Sequence, residues 1–333
     1  MNLIASFLTI TIIGAGVCLS GGQALADSQS CEIQSKKTYA TSSRQLNLPG
    51  LVGELYTPIG CRPKYVVIAL GGSEGGIPSG MAKAFAAMGG LTLAVGYFGI
   101  EGLPANLDQI PLEYFQNAVS QTQTLAGSPK YVFLVGFSKG AEGALAFASI
   151  FRTPLSGIVL ISPADRAFGG LGQNNAQTGH SARTFEFEKI PYTPYVNPDH
   201  SLLQQMFPQG FTTPPVLKPF YEATMALSTG DQGVYAIEKI AAPVIIFSGQ
   251  DDQLWPSARM AENIIARAKT KSFPYSIENY SYPNAGHLLV GGADYLSQDP
   301  YGHKWLGGTI DGSRVAEVDI LSKMGAFFAK IVR

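Results

Sequence analysis

Residues 131–149 read YVFLVGFSKGAEGALAFAS. The first five side chains, Tyr131 to Val135, form a β-branched and aromatic run of strand length. Gly136-Phe137-Ser138-Lys139-Gly140 follows, a G-x-S-x-G pentad, and then an Ala-rich stretch from Ala141 to Phe151 with the composition of a helix. A serine on the sharp turn between a strand and a helix presents its hydroxyl at the C-terminal end of a sheet. Glycine on both sides lets neighbouring backbone approach closely. The helix N-terminus beside it favours a developing anion. Ser138 is therefore the candidate nucleophile.

Working outward, strand and helix signals alternate. Tyr65–Leu70 (YVVIAL), Leu91–Val95, Gly157–Ile161 and Val244–Ser248 (VIIFS) are short apolar strands, with a further strand near Tyr275–Tyr280. Helical spacing is found over Met81–Met88, which Gly89-Gly90 terminates, Leu112–Leu125, about Ser257–Ala268 and about Val315–Val332. Such alternation predicts a mostly parallel sheet with helices on both faces, an α/β class. The rhythm breaks over residues 165–235, which are rich in Gly, Pro, Asn and Gln. An irregular stretch of that length predicts a lid-like insertion over a site.

A serine hydroxyl needs a base, and the base needs an orienting acid. When the nucleophile sits on such an elbow, the chain order is serine, acid, histidine. VIIFS runs into Gly249-Gln250-Asp251-Asp252, and Asn284-Ala285-Gly286-His287 follows the next strand. His287 is the expected base and Asp252 the expected acid, with Asp251 as the alternative. His180 and His200, in the insertion, and His303, in a late loop, read as structural residues. Backbone donors for an oxyanion are expected from the N–H of Lys139 and from the loop Gly71-Gly72-Ser73-Glu74-Gly75-Gly76, where Ser73 is favoured. Lys139 puts a cation at a helix N-terminus, against the macrodipole, so its side chain should answer to substrate or to Glu142 or Glu74. The insertion's aromatic residues, Phe185, Phe187, Tyr192, Tyr195, Phe207, Phe211, Phe220 and Tyr221, suit an apolar acyl pocket and equally suit ordinary packing.

Composition bounds the rest. The 333-residue chain carries 24 acidic and 23 basic side chains, so it offers no electrostatic footprint for nucleic acid. Charged residues make up 14% and hydrophobic ones 46%, a globular balance. The His and Cys spacing fits no metal motif, and neither metal nor organic cofactor is required. Met1–Ala26 contains no charged side chain, is apolar from Leu3 to Leu19, and ends in Ala24-Leu25-Ala26. That pattern predicts a signal peptide at residues 1–26 and an exported chain, periplasmic or secreted; an uncleaved anchor is the alternative. The run is short for a membrane span. Residues 27–64 read as a polar leader and residues 65–333 as the catalytic domain. Cys31 and Cys61 would be the two cysteines left after cleavage, either disulfide-bonded or free.

From about Tyr65 onward, the chain resembles the C-terminal catalytic domain of acyl-CoA thioesterases and bile-acid-CoA:amino-acid N-acyltransferases, within the α/β-hydrolase superfamily. GFSKGAEGALAFAS (136–149), LTLAVGYFGIEGLPANLDQIPLEYFQNAV (91–119), SGQDDQLWPS (248–257), NAGH (284–287) and the tail LGGTIDGSRVAEVDILSKMGAFFAKIV (306–332) carry the likeness. The resemblance implies a triad of Ser138, Asp252 and His287 and acyl transfer from a thioester through an acyl-enzyme. It also implies water as acceptor, because family members that acylate amino acids tend to have cysteine at the nucleophile position. Animal members carry a β-sandwich domain before the catalytic one, and the stretch between Ala26 and Tyr65 is expected to be too short for it. The expected partner is a small acyl ester or thioester. An exported carboxylesterase or dienelactone-hydrolase-like enzyme is the alternative, and a non-catalytic binding protein on the same scaffold a third.

Overall fold

The computed structural model describes residues 29–333 apart from 128, 174–175, 187, 211–212, 229 and 300. The expected signal segment, residues 1–26, lies outside the described residues. The chain opens with a hairpin, β1 (Thr41–Leu48) and β2 (Leu51–Pro58), before β3 (Tyr65–Leu70), α1 (Ser79–Ala86) and β4 (Leu91–Gly96). Next come β5 (Ile110–Pro111), α2 (Leu112–Leu125), β6 (Tyr131–Phe137), α3 (Lys139–Ile150) and β7 (Gly157–Ile161). The insertion follows, as β8 (Gly169–Leu171), β9 (Gln177–Ser181), β10 (Arg183–Phe185), β11 (Glu188–Lys189), α4 (His200–Met206) and α5 (Lys218–Leu227). The core resumes with β12 (Val244–Gly249), α6 (Ser257–Thr270) and β13 (Ile277–Tyr282), and ends with α7 (Gly292–Gln298), α8 (Gly302–Trp305) and α9 (Ile310–Ile331).

The main sheet runs β1-β2-β4-β3-β6-β7-β12-β13. Its six strands from β4 to β13 are parallel, while β1 and β2 are antiparallel. The parallel strands are continuous apolar runs because each is covered on both faces. Val66, Ile68, Leu134, Leu160 and Ile246 point into one core, which α2, α3 and α6 complete. Their neighbours Val67, Phe133, Val135, Val159 and Phe247 point into the other, with Phe85 of α1 and Ile320, Met324 and Phe328 of α9. The chain goes from β3 outward to β4 and then returns past β3 to β6. That reversal is a topological switch point, and it leaves a crevice at the C-terminal ends of β3 and β6.

Three expectations are corrected. Residues 27–64 are not a loose leader throughout: β1 and β2 extend the sheet, with Tyr56 paired to Thr92 of β4. In β1 only Leu46 is buried, so backbone hydrogen bonds rather than an apolar pattern make it a strand. The insertion is also less irregular than its composition suggests. It contributes two helices and short β-pairings, and its own apolar cluster of Phe168, Leu202, Met206, Phe220, Tyr221 and Met225 packs on Trp255. The last helix starts earlier than its apolar spacing predicts, because the Thr309 side chain accepts from Gly312 N–H and caps it. Cys31 and Cys61 form a disulfide that ties the N-terminal segment to the lead-in of β3. No helix among the described residues is long and apolar enough to cross a membrane.

Candidate active site

Ser138 joins β6 to α3 with φ 54° and ψ −122°, a region that non-glycine residues occupy only when the surroundings enforce it. The enforcement is visible at the flanking glycines. A Cβ on Gly136 would stand 2.4 Å from the Gly140 carbonyl oxygen, and one on Gly140 would stand 2.2 Å from that of Leu70. Only glycine lets β3, β6 and the start of α3 close this tightly.

Three strand ends bring the site together. The Ser138 hydroxyl lies 2.8 Å from His287 Nε2. On the other side of the ring, His287 Nδ1 is 2.9 Å from Asp252 Oδ2. All three residues are at most 3% exposed. Asp252 leaves β12, and its Oδ1 accepts from the N–H groups of Leu254 and Trp255. His287 follows β13; Ser162 Oγ donates to its carbonyl and its own N–H donates to Leu306. Trp255 packs edge-on against the imidazole. The imidazole thus bridges Asp252 at Nδ1 and Ser138 at Nε2. Asp251 points elsewhere: it accepts from Gly308 N–H and Gln253 Nε2, holding the late loop.

Of the expected oxyanion donors, Ser73 lines the cavity beside Ser138. Gly72, just before it, leaves no room for a side chain beside Ser138, for a Cβ there would meet that of Ser138 at 3.0 Å. Lys139 is the first residue of α3, so its N–H has no acceptor within the helix. Its side chain turns away from the cavity to pair with Glu142 at 2.7 Å and lies over the Phe168 ring. Burial pushes the Lys139 amine below its usual value, against the pull of Glu142.

The cavity above the serine has a volume of about 780 Å³. Met206 of α4, with Leu217, Phe220 and Tyr221 at and in α5, roofs it, and Leu254, Trp305 and Leu306 form part of its wall. Burial raises the phenol of Tyr221, and that of Tyr195 well above the ordinary range. Of the aromatic residues expected to line an acyl pocket, Tyr195, Phe220 and Tyr221 do. Phe185 instead packs edge-on against Phe151, and the Tyr192 hydroxyl donates to the Gly179 carbonyl; the first belongs to the β11-β10-β5 sheet and the second is tied to the β8-β9 pair. Phe187 and Phe211 lie outside the described residues. His180 faces Asp108 and Gln109, His200 begins α4 and His303 lies in α8, so none of the three joins the cavity. Sequence reasoning passed over Ser162, Trp255, Tyr97 and Arg183. Tyr97 and Trp255 stand in stretches that carry the family likeness, but nothing local singles them out; the contacts of all four are made by folding.

A mostly parallel sheet flanked by helices, with a serine on a strained turn after a central strand, an acid after β12 and a histidine after β13, defines an α/β-hydrolase fold. A hormone-sensitive lipase from a metagenome library shares that fold, at TM-score 0.53 and 13% identity, covering 88% of this chain and 86% of that one. The chain belongs to the family described as BAAT / acyl-CoA thioester hydrolase C terminal, whose sequence model matches residues 110–331. Among its relatives, the mouse acyl-coenzyme A amino acid N-acyltransferase 1 is 25% identical over 71% of this chain and 51% of its own length. The mouse mitochondrial acyl-coenzyme A thioesterase 2 is 27% identical over 79% of this chain and 54% of its own. The chain thus spans about half the length of these relatives.

Proposed function

We propose that this chain is a serine hydrolase that cleaves acyl thioesters through an acyl-enzyme on Ser138. The observation that carries the reading is the continuous contact from Asp252 through His287 to Ser138, on a strained elbow beneath an apolar cavity. His287 Nε2 takes the hydroxyl proton as Ser138 Oγ bonds to the acyl carbon. The carbonyl electrons move onto oxygen, where the Ser73 and Lys139 N–H groups stabilise them. Collapse of this intermediate breaks the carbon–sulfur bond, and the proton on His287 passes to the departing thiolate. Water, deprotonated by the same ring, then releases the acid and restores Ser138. Asp252 stabilises the imidazolium at both stages. The thioester preference draws on the family and on the words acyl-coenzyme A thioesterase in a relative's name.

A second reading is exported oxygen-ester hydrolysis. The Cys31–Cys61 disulfide favours it, since such bonds persist in oxidising compartments, where the N-terminal segment is expected to deliver the chain. The two readings part in one experiment. Purified protein and Ser138→Ala are compared on short-, medium- and long-chain acyl-CoA, with nitrophenyl esters in parallel. The thioester reading expects Ser138-dependent thiol release that outpaces ester cleavage. Fast Ser138-dependent ester cleavage with idle thioesters would replace it with the second. Failure of Ser138 to react with a fluorophosphonate probe would favour a non-catalytic scaffold.

A further inference from the structure

We infer that Tyr97 and Arg183 form a buried brace that aims the two oxyanion donors, and are positioning residues for the reaction proposed above. The inference rests on that reading and extends it to two residues that touch no substrate.

The argument starts with the peptide planes. The Ser73 N–H belongs to the same rigid plane as the Gly72 carbonyl, so whatever fixes one fixes the other. Tyr97 follows β4 and is 3% exposed. Its hydroxyl donates to the Gly71 carbonyl at 2.6 Å and lies 3.3 Å from that of Gly72. On the other side, Gly72 N–H donates to Glu74 Oε1 at 2.8 Å. The loop that carries Ser73 is therefore tied at successive peptides, with no room for a side chain on Gly72 between it and Ser138.

Arg183 holds the other donor. It is 1% exposed, and its Nη2 donates to the Lys139 carbonyl at 3.0 Å. That bond fixes the first peptide after the oxyanion donor at the start of α3. The guanidinium lies 5.1 Å from the centre of the Tyr97 ring and 5.6 Å from that of Phe115. It therefore spans the β3 loop, through Tyr97, and the elbow, through Lys139. Room for it is built into α3: a Cβ on Gly143 would meet Nη2 at 3.0 Å.

The charge balance points the same way. Lys139 and Glu142 pair at 2.7 Å, which leaves Arg183 and the Glu74 carboxylate as the other two charges around Tyr97. Arg183 Nε and Nη1 have no hydrogen-bond partner among the described residues. A buried guanidinium held by two rings and one carbonyl is costly to desolvate. The Arg183 charge offsets that of Glu74 on the donor loop, which would otherwise disfavour a transition state in which the carbonyl oxygen becomes negative. Arg183 also belongs to the insertion, where it pairs with Ile110 across β10 and β5, so the segment that roofs the cavity also holds its donors.

Tyr97→Phe and Arg183→Lys test the brace in the full chain, beside Ser138→Ala. For each, kcat and KM on a nitrophenyl ester, melting temperature, and affinity for a trifluoromethyl ketone are measured. The ketone's hemiketal oxygen takes the place of the oxyanion. Tyr97→Phe keeps the ring and removes one hydrogen bond. The brace predicts kcat lower by about tenfold, KM within about twofold, and weaker ketone binding by the same factor as kcat. Arg183→Lys is predicted to move kcat and ketone affinity in the same sense; if it does not fold, Tyr97→Phe decides alone. Unchanged kcat and ketone affinity in Tyr97→Phe, or a rise in KM with kcat intact, would overturn the brace while leaving the hydrolase reading in place. Turnover that survives in Ser138→Ala would overturn both.

Discussion

At the scale of single residues, the roles of Asp251 and Asp252 separate cleanly. Asp252 faces the imidazole and Asp251 faces Gly308 N–H. Asp252→Asn keeps the shape but cannot stabilise the imidazolium, so kcat should fall by about 10³–10⁴ with KM little changed. Asp251→Asn should leave kcat within a few-fold and lower the melting temperature instead. Steady-state kinetics and thermal melts on the two variants check this pair of outcomes, and reversed effects would reassign the acid. Gly140→Ala forces a methyl into the Leu70 and Gly71 carbonyls. Backbone must move, so the loss should reach about 3 kcal/mol or more, seen as a drop in urea midpoint. The grouping of Ser138, Asp252 and His287 was legible in the sequence because each follows a strand signal in a short turn, in the order the elbow demands. Arg183 and Tyr97 were not, since their meaning comes from carbonyls of Lys139, Gly71 and Gly72 that folding brings to them.

At the scale of elements, the sheet strands that are buried on both faces were readable as apolar runs and α2 by its helical spacing, and Gly157–Ile161 and Leu112–Leu125 fall where those two patterns set them. The hairpin of β1 and β2 escaped because its outer strand is polar and exposed; Leu48-Pro49-Gly50-Leu51 at its turn was the available cue. The insertion escaped for the opposite reason. Its helices are short and pack on each other and on Trp255, so periodicity had little length in which to appear. α4 and α5 roof the cavity through Met206, Leu217 and Phe220. Met206→Trp fills part of that space and should move the preferred acyl chain to shorter lengths, read as a shift in kcat/KM across a chain-length series. An unchanged profile would place the acyl group elsewhere.

For the whole molecule, stability is shared between the sheet's two cores and a few ties between distant segments. The Cys31–Cys61 disulfide spans a sequence separation of 30. Closing a loop of that size is worth roughly 3–4 kcal/mol through the unfolded chain. The Cys31→Ser/Cys61→Ser double variant should therefore unfold at markedly lower denaturant while retaining kcat. Arg267 of α6 binds Glu238 and Asp231, at the end of the insertion. The guanidinium holds the Glu238 carboxyl below its ordinary value of 4.5. Above that value both folded and unfolded forms are ionised, and the pair contributes fully. As the pH falls below it, the unfolded chain binds the proton first, so this contribution is lost on the acid side. Arg267→Met should flatten the acid limb of the stability–pH curve, measured by urea melts between pH 3 and 7; an unaltered limb would mean that the pair adds nothing. Glu238 is partly exposed, so solvent screening keeps the change small.

The most direct measurement is to capture the covalent intermediate. The protein is mixed with an acyl thioester, quenched in acid within the first turnover, digested and weighed by mass spectrometry. The account predicts one acyl group added to the peptide that carries Ser138 and none in Ser138→Ala. Turnover in Ser138→Ala at the wild-type rate, or an adduct on another side chain, would contradict it.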